Sequence, residues 1–89
     1  MADLNENIDY RELISRLIKS EMSKRKIRYE DLSVLLADLG TVQTSANLRN
    51  KINRGIMGAD LFIQLIIVLN VKQIDRESVL EIAANLKTH

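Results

Sequence analysis

Apolar residues recur at intervals of three and four positions in five separate segments of the chain, and no proline interrupts any of them. This spacing places the apolar side chains of each segment on one face of an α-helix. Glycine occurs only three times, and the abundant Leu, Ile, Ala, Lys and Glu are good helix formers. The sequence therefore predicts an all-α protein, a compact five-helix bundle with one domain over residues 1–89. Residues 1–7 are expected to be disordered.

Capping residues mark where three of the predicted helices begin. Asp9, followed three positions later by Glu12, predicts the start of the first helix. Either Thr44 or Ser45 is expected to cap the third helix, because a side-chain oxygen at this position can accept a free backbone N–H. Asp75 has the same role before the fifth helix.

Residues that tolerate the left-handed conformation mark where helices end. Gly40 and Gly55 predict the ends of the second and third helices, and Asn70 resembles a stop after the fourth. The three central helices are accordingly expected at about 29–39, 44–54 and 58–69.

The apolar faces of these helices predict the core. In the fourth helix almost every position from Leu61 to Leu69 is apolar, so we expect this helix to be buried at the centre, with the others packed on it. A β-strand is the competing interpretation, but the sequence offers no partner strand. In the first three helices the expected inward residues are Tyr10, Leu13, Ile14, Leu17, Ile18, Met22, Leu32, Leu35, Leu36, Leu39, Leu48 and Ile52.

The predicted fifth helix, residues 74–87, has an apolar stripe formed by Val79, Ile82, Ala83 and Leu86. Its simplest role is to seal the helix against the bundle. The alternative is the seam of a homodimer, which would let two copies read DNA half-sites about 34 Å apart. The sequence leaves both interpretations open.

The predicted third helix has an unusually polar outer face. Leu48 and Ile52 lie on one side, whereas Ala46, Asn50 and Asn53 point roughly the opposite way. Amide and guanidinium groups are those that hydrogen-bond to base edges and phosphates. This segment is therefore a candidate recognition helix, and an ordinary solvated helix is the alternative.

Charge is nearly balanced, with thirteen bases and twelve acids, but it is unevenly distributed. Residues 39–59 contain three bases and no acid, and residues 11–28 contain seven bases and two acids. Such segregation suits a protein with one basic face that binds nucleic acid. Solvated surface charge is the plainer explanation for either run alone.

Composition argues against several classes of protein. The chain has no cysteine and one histidine, His89, so neither a thiol enzyme nor a typical metal site is expected, and no cofactor is predicted. Ser33 and Ser78 have no histidine base to activate them, so we predict no enzyme. The first residues do not resemble a signal peptide and the longest apolar run is too short to span a membrane. A cytoplasmic protein without membrane association is expected.

The segment from Asn47 to Gly55, Asn-Leu-Arg-Asn-Lys-Ile-Asn-Arg-Gly, follows Gly40 and precedes a hydrophobic run. In this context the sequence resembles the lambda-repressor-like (Cro/C1-type) helix-turn-helix proteins. It is more closely similar to a small bacterial family catalogued as a domain of unknown function, over roughly residues 13–71. The other residues that carry the resemblance are Tyr29, Leu32, Leu36, Phe62, Leu65 and Leu69.

This resemblance implies a helix-turn-helix fold, and the fold implies sequence-specific binding of double-stranded DNA by a transcriptional regulator. The third helix would then enter the major groove, where Asn pairs with adenine and Arg with guanine. The connection over residues 39–44 is longer than the compact turn of Cro-type proteins. The expected base contacts are Ser45, Ala46, Asn47, Arg49 and Asn50, and the expected phosphate contacts are Lys24, Arg25, Lys26, Arg28, Lys51, Asn53 and Arg54.

A second function remains open at the level of the sequence. A domain of this kind could retain the helix-turn-helix framework and bind a partner protein instead of DNA. The small net charge of +1 and the apolar stripe of the fifth helix favour that interpretation.

Overall fold

The computed structural model describes residues 8–87 and consists of five α-helices with no strand in that span. The all-α prediction is confirmed, whereas the expectation of disorder over residues 1–7 lies outside the described residues. The helices are α1 (Tyr10–Arg25), α2 (Tyr29–Asp38), α3 (Ser45–Arg54), α4 (Ala59–Val68) and α5 (Arg76–Lys87).

The core lies between α1, α2, α3 and α4, each of which contributes side chains that are fully buried. α3 packs against both α1 and α2, α4 packs against α2, and α5 packs against α1. Burial of leucine and isoleucine side chains stabilises such a core by roughly 1.5–3 kcal/mol each. The fully buried residues are Ile18, Leu32, Leu36, Leu48, Ile52, Leu65 and Leu69.

All three predicted N-caps form. Asp9 Oδ1 accepts the backbone N–H of Arg11 at 3.0 Å, Thr44 Oγ1 accepts that of Asn47 at 3.0 Å, and Asp75 Oδ1 accepts that of Ser78 at 2.7 Å. Each cap satisfies a donor that the helix itself leaves free, which is typically worth about 1 kcal/mol.

α2 begins and ends differently. Arg28 precedes it, and the Arg28 backbone N–H donates to Asp31 Oδ2 at 2.9 Å. The side chain of Asp31, in the first turn of α2, thus satisfies a backbone donor that lies just before the helix. At the other end Gly40 has a φ of +89°. The N–H of Thr41 then donates to the carbonyl of Leu36 at 2.9 Å, which closes the helix as a Schellman motif.

The prediction that α4 is buried at the centre of the bundle, with the other helices packed on it, is wrong. Leu61 and Leu65 face the core, but Ile63 is 55 % exposed and Ile67 is 59 % exposed. The periodicity of an all-apolar helix does not indicate which neighbours will cover it, and within one copy of the chain α4 packs mainly against α2.

Three further side chains are less buried than the sequence indicates. Tyr10 is 57 % exposed and Leu39 is 47 % exposed, while Leu35 is half-buried. Tyr10 is the first residue of α1 and Leu39 is the C-cap of α2, so both lie at the end of a helix. Position at a helix end outweighs the periodic pattern at both sites.

The apolar stripe of α5 contacts α1. Ala83 is 2 % exposed, whereas Val79, Ile82 and Leu86 are half-buried. Ala83 therefore belongs to the packing of the single chain. A homodimer seam through the other three residues stays a prediction.

Candidate nucleic-acid interface

The position of α3 is set by its two buried residues and by the glycine that follows it. Leu48 and Ile52 are fully buried against α1 and α2. Gly55 is buried too, and its φ of +63° turns the chain away from α3 directly beside the first turn of α1. These contacts leave the opposite face of α3 in solvent.

That exposed face carries most of the side chains predicted to contact bases. Ala46, Asn47, Arg49 and Asn50 are exposed, and Ser45 is half-buried at the first turn. Asn53 and Arg54 continue the exposed surface toward the end of the helix. Because residues 39–59 contain no acid, this surface presents amide and cationic groups without a carboxylate of its own.

Hydrogen bonds attach the long connection before α3 to both α2 and α3. Ser33 Oγ, in α2, donates to the backbone carbonyl of Gln43 at 2.5 Å. Lys51 Nζ, in α3, donates to Gln43 Oε1 at 3.3 Å. Lys51, predicted to contact phosphate, is half-buried and hydrogen-bonded to Gln43, so it ties α3 to the connection.

Arg49 does not point freely away from α3. Its guanidinium carbon lies 5.3 Å from the centre of the Tyr29 ring, and Arg49 Nη2 is 3.7 Å from Glu30 Oε1. Stacking on an aromatic face and an exposed ion pair each contribute up to about 1 kcal/mol. Both contacts direct the guanidinium toward the start of α2.

Tyr29 is the residue that the sequence did not single out for the site. Its hydroxyl donates to Asn53 Oδ1 at 3.3 Å while its ring supports Arg49. Burial raises the pKa of this hydroxyl above its usual value, and the nearby Arg49 charge opposes that shift. The sequence does contain one indication of this role. Tyr29 is an aromatic residue beside Arg28 in a chain with few aromatics, and aromatic rings bind arginine through cation–π contacts.

Two of the predicted phosphate contacts at the end of α1 are engaged by one acid. Glu21 lies 2.6 Å from Arg25 Nη1 and 3.3 Å from Lys24 Nζ. The hydrogen bond from Arg25 is the main reason that the pKa of Glu21 lies below its usual range. Arg25 also donates to the backbone carbonyl of Asn70 at 3.3 Å and so ties α1 to the end of α4.

Lys26 and Arg28 follow in the short link between α1 and α2, and both are exposed. Lys26 has a φ of +56° and caps the end of α1. Arg28 Nε is 3.6 Å from Asp31 Oδ2 and 3.8 Å from Glu30 Oε2. Acids of α2 therefore partly offset this cation.

An open groove with a volume of about 330 Å³ joins the two predicted sets of contacts. Met22 and Ile27 contribute apolar lining, and Arg28 and Arg49 both border the groove although they are 21 residues apart in the sequence. The fold thus brings one predicted phosphate contact and one predicted base contact to a common surface, with Glu30 at the same groove.

Residues 8–87 contain no group of His, Cys, Asp or Glu side chains arranged to hold a metal ion. In the same span no helix has the length and apolar character needed to cross a membrane.

A family model described as "Domain of unknown function (DUF6471)" matches residues 10–74. The chain belongs to the DUF6471 family. The match covers α1 to α4 and ends just before α5. It therefore includes every residue of the candidate interface. No curated protein and no solved structure matches the chain.

Proposed function

We propose that this DUF6471 protein binds double-stranded DNA sequence-specifically, with α3 in the major groove, and acts as a transcriptional regulator. In this proposal α2 and α3 form a helix-turn-helix unit of the lambda-repressor-like kind. The observation that carries it is the exposed face of α3, which displays Asn47, Arg49 and Asn50 without any acid in the surrounding 21 residues, 39–59.

The contacts around α3 also support a defined orientation of the helix. The bonds of Gln43 to Ser33 and Lys51 make the longer connection a fixed element, so α3 is held against α2 as a recognition helix must be. Arg28 and Arg54 flank the face and would bind phosphates on either side of the groove. Ser45 and Ala46 would lie nearest the bases at the start of α3.

Selection of bound duplexes from a random DNA pool is the most direct test, because it measures binding and specificity together. If about five phosphates are neutralised, the logarithm of the affinity should fall against the logarithm of the salt concentration with a slope of roughly −4.5. The double variant Arg49→Ala, Asn50→Ala should lose specific binding. Gln73→Ala with Arg76→Ala, which removes an amide and a guanidinium outside α3, is the matched control. An affinity that does not change with salt concentration would contradict the proposal. So would specific binding that persists in the Arg49→Ala, Asn50→Ala variant.

A protein-interaction module is the second candidate, and a different observation favours it. Arg49 is already paired with Glu30, and large apolar side chains such as Ile63 and Ile67 remain exposed. Protein partners prefer such apolar surface, whereas DNA does not. Recovery of a stoichiometric protein partner from nuclease-treated lysate, with no duplex retained at moderate salt, would favour this function over DNA binding.

A further inference from the structure

The outer face of α4 is an apolar surface without a covering element in the described chain. Ile63 and Ile67 are one helical turn apart and are 55 % and 59 % exposed. No charged residue occurs from Leu61 to Val71. A helix on the surface of a soluble protein normally carries polar residues on its outer face, so this face has the composition of an interface.

The ends of this apolar stripe carry opposite charges. Asp60 lies at its start in the first turn of α4, and Lys72 lies just beyond its end. Both are exposed, and neither forms an ion pair with another residue in the described span 8–87. An acid at one end and a base at the other make the surface complementary to a copy of itself in the reverse direction.

We propose that the protein forms a homodimer in which α4 packs antiparallel against α4 of a second copy. A twofold axis on the outer side of α4, midway between Ile63 and Ile67, would set Ile63 of each chain against Ile67 of the other. Because Asp60 lies in the first turn of α4 and Lys72 lies shortly after its last residue, Val68, the antiparallel arrangement brings the Asp60 end of each copy to the Lys72 end of the other. The contact is isologous, as most homodimer interfaces are, and the antiparallel helix dipoles also attract.

The outer face of α4 is separate from the exposed face of α3 and from the apolar stripe of α5. It does not include the exposed face of α3, so dimerisation does not depend on the proposed binding of DNA. It also differs from the α5 seam predicted from the sequence, since Ala83 of that stripe is already buried against the same chain.

Sedimentation velocity of the full chain over a range of concentrations tests the interface. The wild-type chain should pass from monomer to dimer as its concentration rises. The double variant Ile63→Glu, Ile67→Glu should remain a monomer, because each dimer would bury four carboxylates in an apolar seam. Val42→Glu, at a side chain that is 88 % exposed in the connection before α3, is the matched control and should dimerise as the wild type does. Circular dichroism verifies that each variant is folded.

Charge reversal tests the direction of the two helices. Asp60→Lys alone and Lys72→Asp alone should each weaken the dimer roughly tenfold, because each creates two like-charge contacts per dimer. An equimolar mixture of the D60K and K72D chains should recover the wild-type affinity, since both contacts in the mixed dimer then join opposite charges.

Three results would overturn the proposal. They are a wild-type chain that stays monomeric at its solubility limit, a dimer that persists in the Ile63→Glu, Ile67→Glu variant, and a mixture of D60K and K72D that associates no more tightly than either variant alone. A dimer lost only on Leu86→Glu would assign the seam to α5 instead.

Discussion

Gly55 lies directly against the backbone carbonyl of Arg11, at the point where the chain leaves α3 and crosses the first turn of α1. A β-carbon at position 55 would overlap with that carbonyl oxygen. Gly55 also has a φ of +63°, in the left-handed region that other residues occupy only at a cost. Two independent constraints therefore require glycine at position 55, and both affect how α3 packs against α1.

We expect Gly55→Ala to lower the free energy of unfolding by more than about 2 kcal/mol. The left-handed conformation alone costs roughly 1–2 kcal/mol for a residue with a β-carbon, and the overlap with Arg11 adds to it. Urea unfolding followed by circular dichroism measures the change. Gly40→Ala is the matched control, because Gly40 is also left-handed, with φ of +89°, but has no atom within 4 Å of its added β-carbon. Equal losses in the two variants would show that the contact with Arg11 does not matter.

The cluster of Glu21, Lys24 and Arg25 should make stability depend on pH in the acid range. Arg25 lowers the pKa of Glu21 in the folded protein. The stabilisation is therefore complete above the pKa of Glu21 in the unfolded chain, about 4.3, and is lost as pH falls through the lower folded value. We expect Glu21→Gln to cost about 1 kcal/mol at pH 7 and much less below pH about 3.

Unfolding in urea at several pH values measures this difference. Glu77→Gln is the control, because Glu77 is exposed in the first turn of α5 and has no ion pair within the part of the chain that the structure describes. A cost of Glu21→Gln that stays the same from pH 7 to pH 3 would mean that the carboxylate charge is not what stabilises the cluster.

Local signals predicted the helices well because the forces that end a helix are local. Asp9, Thr44 and Asp75 cap with their own side chains, and Gly40 and Gly55 end helices through their own backbone conformation. None of these interactions needs knowledge of the tertiary structure. The exposure of the polar face of α3 follows in the same way once Leu48 and Ile52 are assigned to the core.

Contacts between distant segments could not be predicted in this way. The ion pair of Arg49 with Glu30 and the hydrogen bond of Tyr29 to Asn53 each depend on how α2 crosses α3. The exposure of Ile63 and Ile67 depends likewise on which helices cover α4. The periodicity of apolar residues identifies the apolar sides of a helix, but it does not show which other helices cover those sides.

The stacking of Arg49 on Tyr29 should appear as a coupling energy. In a double-mutant cycle with Tyr29→Leu and Arg49→Ala, we expect a coupling of roughly 0.5–1 kcal/mol, as is typical of an exposed cation–π contact. The free energy of unfolding of the four proteins gives the value. A second cycle that uses Tyr29→Phe instead of Tyr29→Leu keeps the ring in all four proteins and should therefore show almost no coupling with Arg49→Ala. If the Phe cycle shows as much coupling as the Leu cycle, the hydroxyl and its bond to Asn53 are responsible instead of the ring.

Glu30 should restrain the binding of DNA if Arg49 is a base contact. It pairs with Arg49 at 3.7 Å, and its carboxylate borders the groove that Arg28 and Arg49 share. Removing the charge releases the guanidinium and removes a repulsion against phosphate. We therefore expect Glu30→Gln to raise the affinity for a selected duplex by about two- to fivefold, which corresponds to an exposed ion pair of up to about 1 kcal/mol.

Fluorescence anisotropy at fixed salt measures this gain. Glu77→Gln makes the same change in charge in the first turn of α5 and should leave the affinity nearly unchanged. An equal gain in both variants would trace the effect to net charge, whereas a loss in Glu30→Gln would mean that the ion pair holds Arg49 in its binding position.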